Sequence, residues 1–256
     1  MTEGQIVLYW PSLLGVILIV LVHLFAPHFH CMHKSNNIWV PASVGVALAY
    51  VFMDIFPHLA KSKAKLAPTG DNPVYEFLTH NIYFVGLAGF TAYLGIILLD
   101  MMFRKNSTAS EITFRSAPAA IKIEFISLSA YNFLVGYLLS EQVTHRPEPA
   151  LLFGLAMAAH FAGLNHLSRD HFPGLYDGIL RYAFTTAVLA GWIAGVALEI
   201  SNVTLELWYS FLAGGIIVVA AVYELPHIRS YRQYLGFVVG AGLFSVLILS
   251  MNYYGK

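Results

Sequence analysis

The sequence predicts an all-α integral membrane protein, an eight-helix transmembrane bundle forming a single domain over residues 1–256. Two compositional facts and one count carry that expectation. Hydrophobic residues make up 58% of the chain and charged residues 11%, whereas a soluble domain carries about 25% charged residues. Mean hydropathy is +0.66. Eight apolar stretches approach the roughly 20 residues needed to cross a bilayer. They lie near 6–26, 38–60, 82–103, 119–140, 150–168, 179–200, 207–226 and 231–254. The connections between them are short and hold no inserted soluble domain. The bilayer is therefore the expected partner, and a net charge of zero gives no reason to expect a nucleic acid.

The first stretch follows Met1-Thr2-Glu3-Gly4, which lacks the basic start of a cleavable signal, so it reads as a retained helix. The loop after it, Pro27-His28-Phe29-His30-Cys31-Met32-His33, concentrates imidazoles and a thiol. Such ligands suit Zn or Cu(I). His28, His30, Cys31 and His33 are thus a candidate cytoplasmic metal acceptor, set against a plain histidine-rich turn. Cys31 is the lone cysteine and excludes an internal disulfide.

The second and seventh stretches end alike, in Phe52-Met53-Asp54-Ile55-Phe56-Pro57-His58 and Ala221-Val222-Tyr223-Glu224-Leu225-Pro226-His227. Each sets an acid ahead of Pro-His. Asp54 and His58 stand at i and i+4, on one helix face, where they can share a cation. Proline frees a carbonyl at the same level. Asp54, His58 and His227 are candidate metal ligands, and Glu224 a candidate on the transport pathway. The two motifs fall at opposite ends of the bundle, so the pattern predicts an inverted pseudo-repeat, as in secondary transporters. The blander reading is two ordinary helix ends whose polar residues reach the interface.

The fourth stretch holds Tyr131-Asn132 at mid-depth and the fifth holds His160 at a similar level. Polar groups in hydrocarbon face a bundle interior or cavity. Asn132 and His160 are candidate metal ligands, with Tyr131 beside the pathway; alternatively they form one interhelical hydrogen bond that locks two helices. The fifth stretch is the shortest and most polar, which fits a helix buried among the others. Gly191 and Gly195, and Gly236 and Gly240, have the GxxxG spacing of close helix packing. They serve either packing within the bundle or a homodimer.

Basic residues set orientation. With the N-terminus outside, Lys34, Arg104, Lys105, Arg115, Lys122, Arg169, Arg181, Arg229 and Arg232 fall inside, against Lys61, Lys63, Lys65, Arg146 and Lys256 outside. Both termini are expected outside an inner or plasma membrane, although the Lys61–Lys65 cluster opposes this.

Taken in order, these landmarks resemble the ZIP family of divalent-metal transporters across nearly the whole chain. Phe52 to His58 is similar to the family's Phe-Leu-His-Leu-Leu-Pro-Glu, Tyr131 to Gly136 to its His-Asn-x-x-Asp/Glu-Gly, and His160 to Leu164 to its His-Glu-x-Pro-His/Glu. Leu225-Pro226-His227 stands where the family has Leu-Pro-Glu. The resemblance implies a ZIP-like bundle and a permease for zinc or another divalent metal, which would be its substrate and not a resident cofactor. The departures fall on the ligands. Tyr131, Val135, Phe161 and Leu164 replace histidine or carboxylate, and Asn132 and His160 remain. Two neutral ligands compensate a dication's lost hydration poorly. The alternatives are a transport-inactive homologue with a structural or regulatory role and a transporter of another substrate. An enzyme is not expected, because one deep histidine falls short of the three ligands a catalytic metal needs.

Overall fold

The computed structural model describes residues 3–28, 37–65, 73–104, 114, 117–142 and 148–254, and among these the chain is helical without a strand. Among the described residues, eight helices are long and apolar enough to cross a membrane. We label them α1 (Glu3–Phe25), α2 (Trp39–Tyr50, running on through Val51–Ile55 and Phe56–Lys65), α3 (Ile82–Arg104) and α4 (Ala119–Ser140). The rest are α5 (Glu148–His171), α6 (Pro173–Leu175, Tyr176–Leu180 and Arg181–Ala197), α7 (Asn202–Val219 with Ala220–Glu224) and α8 (Tyr231–Tyr254). A short helix, Pro73–His80, precedes α3.

The helices form two shells. The apolar stretch of α5 is 83% buried and those of α2, α4 and α7 are 56 to 61% buried, whereas α3 and α8 reach 22% each. The inner helices are therefore α2, α4, α5 and α7. Each leans on one outer helix: α4 on α6, α2 on α8, α7 on α3, and α5 on α1. Leu87 on α3 and Leu243 and Val246 on α8 stay more than half exposed. An apolar outer face of this kind suits lipid and not water.

Small residues bring these pairs together. A Cβ on Gly191 of α6 would lie 2.0 Å from the Phe133 carbonyl oxygen of α4, and one on Gly240 of α8 would lie 2.2 Å from that of Ala42 on α2. Gly195 and Gly236 likewise abut α4 and α2. The two GxxxG pairs are thus engaged inside the chain.

Helix α5, expected as the shortest, runs for 24 residues. Its polar C-terminal turns remain helical because Asn165 and His166 are buried within the bundle. Helix α7 starts at Asn202, before the apolar run, because the Ser201 hydroxyl accepts a hydrogen bond from the Thr204 backbone N–H at 3.2 Å.

Three helices contain a widened π turn: Val51–Ile55, Tyr176–Leu180 and Ala220–Glu224. The first and third lie just before Pro57 and Pro226. Proline supplies no N–H to the preceding turn, and the ladder relaxes there. Asp54 and Glu224 both fall in these turns, a setting frequent at functional sites.

Candidate functional site

His160 stands midway along α5 with no exposed surface. Its Nδ1 lies 3.7 Å from Glu224 Oε2 on α7, beyond hydrogen-bonding distance. Both imidazole nitrogens and both Glu224 oxygens are buried without a hydrogen-bond partner. The Tyr131 hydroxyl, on α4, is in the same condition, and the Tyr131 and His160 ring centroids are 6.1 Å apart. Ser43 of α2 completes the group. Its hydroxyl donates to the Val40 carbonyl at 2.7 Å. A Cβ on Gly163 of α5 would meet Ser43 Oγ at 2.7 Å and Glu224 Oε1 at 2.6 Å. Each inner helix thus contributes one polar side chain to one level of the core.

Buried polar atoms without partners are rare in native proteins and point to strain, a functional group or an unseen ion. Here five such atoms, on His160, Glu224 and Tyr131, occur together. The set joins an imidazole and a carboxylate, which is the chemistry of a cation site.

A second buried cluster lies beside it and is arranged differently. His23 of α1 has no exposed surface. Its Nε2 bonds Asn132 Oδ1 of α4 at 2.7 Å, and its Nδ1 pairs with the Asn165 carboxamide of α5, 2.9 Å from Nδ2. The Asn132 Nδ2 donates to the Leu128 carbonyl at 2.9 Å, and the Tyr176 hydroxyl donates to the His23 carbonyl at 3.2 Å. Phe161 stands between the clusters, with ring centroids 5.0 Å from His23 and 5.8 Å from His160. Asn132 is therefore committed to His23, and it makes no hydrogen bond to His160. The expectation of one deep histidine is corrected to two. His23 was overlooked because it lies three residues from the expected end of the first apolar run, where histidines commonly reach for the interface. An ionisable residue inside that run was the available signal.

Asp54 and His58 meet in a cavity of about 320 Å³ at one end of the bundle, lined also by Tyr50, Lys61, Gln142 and Tyr209. His58 Nε2 lies 2.9 Å from Glu206 Oε1 of α7, which also accepts from the Ser62 hydroxyl at 2.7 Å. The reading of the sequence missed Glu206 because it sits one residue before the expected seventh stretch. Beneath the cavity, Phe153 of α5 is buried against Tyr50 and Tyr209, at ring centroid distances of 5.7 and 6.0 Å. This aromatic layer separates the cavity from the His160 level.

At the opposite end of α7, Tyr223 donates a hydrogen bond to Glu124 of α4. His28 is in the turn closing α1, its ring centroid 6.0 Å from that of Phe25. His30, Cys31 and His33 lie outside the described residues, as does the His227 side chain. Among the described residues, no three His, Cys, Asp or Glu side chains gather closely enough to hold a metal alone. Searches of protein-family models, curated proteins and solved structures find no match to the chain.

Proposed function

We propose that the chain is a ZIP-like membrane permease for a divalent metal cation, with His160 and Glu224 as the central pair that binds the cargo. The observation that carries this reading is their shared condition: buried, 3.7 Å apart and without hydrogen-bond partners on any of their four polar atoms. Glu224 answers the objection raised by the family's missing carboxylates. The anion arrives from α7 instead of from α4 or α5, and at short range in a low-dielectric core it offsets much of the ion's lost hydration.

The inverted pseudo-repeat belongs to the same proposal. Matching α1, α2 and α3 to α6, α7 and α8, and α4 to α5, turns the α2–α8 packing into α7–α3 and the α4–α6 packing into α5–α1. Those are the four closest pairings in the bundle. The same match carries the Asp54 π turn onto the Glu224 π turn. With both termini outside, the Asp54–His58 cavity opens outward and Glu224 lies towards the inside. Cargo would then pass from the cavity, through the aromatic layer, to the central pair.

Purified protein in proteoliposomes is expected to take up at least one of zinc, iron, manganese and cobalt above the rate of empty vesicles. Uptake is expected to fall in Asp54→Ala. Uptake equal to that of empty vesicles for all four metals would remove the permease reading. The shortage of a third His, Cys, Asp or Glu at the core favours a second reading, a transport-inactive homologue, whose signature is metal binding without flux.

A further inference from the structure

We infer that Ser43 is a ligand of the central site and that Gly163 is the residue that leaves room for this contact. The inference rests on the permease reading and deepens it. The Ser43 side chain is largely buried, and its one hydroxyl hydrogen is committed to the Val40 carbonyl at 2.7 Å. A hydroxyl has one donor and two acceptor lone pairs, so Ser43 has only acceptor capacity left for the core. Ser43 Oγ and Glu224 Oε1 both flank Gly163, and Glu224 Oε1 accepts no hydrogen bond. Two oxygens that can only accept border the same space, and a cation is the ligand that satisfies both.

Gly163 sets the shape of that space. A Cβ there would fall 2.6 Å from Glu224 Oε1 and 2.7 Å from Ser43 Oγ, closer than carbon and oxygen tolerate. Any larger residue would push the carboxylate away or fill the gap. With Ser43 included, the donors are an imidazole nitrogen, a carboxylate and a hydroxyl, drawn from α5, α7 and α2. No thiolate or thioether is among them, so the site favours borderline and hard divalent cations over Cu(I).

Co²⁺ is the probe, because its absorption reports its ligands. In detergent-purified full-length Cys31→Ser protein, Ser43→Cys is expected to add a thiolate-to-cobalt charge-transfer band in the near ultraviolet that the parent lacks. Ser43→Ala is expected to weaken Co²⁺ binding about tenfold, the size of one lost contact to a charged group, and to shift the visible cobalt bands. Gly163→Ala should also weaken binding. Co²⁺ binding to Ser43→Cys without the new band, or to Ser43→Ala with parental affinity and spectrum, overturns the role of Ser43 and leaves the His160–Glu224 pair standing. Failure of the parent itself to bind Co²⁺ counts instead against the permease reading, and the inference falls with it.

Discussion

Two polar clusters sit side by side in the core, equally buried and oppositely equipped. Around His23, both imidazole nitrogens and the two carboxamides they meet are paired. Around His160, both imidazole nitrogens, both oxygens of Glu224 and the Tyr131 hydroxyl are unpaired. Phe161 stands between the two. A satisfied network fixes helices against one another and offers little to an incoming ion. An unsatisfied one costs stability wherever nothing binds it. On the proposed reading the first is a lock joining α1, α4 and α5, and the second a receptor among α2, α4, α5 and α7. Burial alone does not identify a site; the pairing of its polar atoms does.

The largest expected effect is on transport. Glu224→Gln and His160→Ala should each bring metal uptake in proteoliposomes down to that of empty vesicles, while the protein still purifies as a folded species. A buried carboxylate without a hydrogen-bond partner costs more to desolvate than a carboxamide of similar volume, so Glu224→Gln should unfold at the same temperature as the parent or higher. A sharp loss of stability would break the contrast, since Glu224 would then be part of a lock as well.

The reverse pattern is expected at His23. Leucine there leaves the Asn132 and Asn165 carboxamides without their partner and should cost about 1–2 kcal/mol. That is visible as a lower apparent midpoint in thermal unfolding. Metal binding per folded molecule should survive. If His23→Leu abolishes binding and leaves stability unchanged, the two clusters have exchanged roles.

The smallest effect is expected at the cavity. His58 is about half exposed where it meets Glu206, and exposed ion pairs contribute roughly 0–1 kcal/mol. Glu206→Gln should therefore lower uptake at limiting metal by less than about fivefold. A complete block would show that the mouth, and not the core, limits passage.

Much of this arrangement was legible in the sequence. The eight apolar runs follow from hydropathy, and the depth of His160 follows from its place within one of them. The likeness of Asp54-x-x-Pro-His to Glu224-x-Pro-His was legible too, but not the π turns in which both acids sit. What could not be read was which polar side chains face each other. Asn132 and His160 are at similar depth in sequential helices, yet Asn132 turns towards α1 and His160 towards α7. That choice depends on helix rotation within the bundle, which the small residues at the packing contacts decide. Glu224 looked like an end-of-helix residue because Pro-His follows it. The π turn and the packing against α2 and α5 carry it into the core. Ser43 gave no signal, as a serine early in an apolar helix ordinarily bonds its own backbone, and this one does so too.

The contrast between the clusters is tested most directly by how the thermal midpoint responds to Co²⁺. A ligand that binds only the folded state at a hundred times its Kd adds about 2.7 kcal/mol of stability. The parent and His23→Leu proteins should both show midpoints that climb as Co²⁺ is raised, from different starting values. Glu224→Gln should show a flat line. A Glu224→Gln midpoint that climbs in parallel with the parent would contradict the assignment of the cargo site to the His160–Glu224 pair.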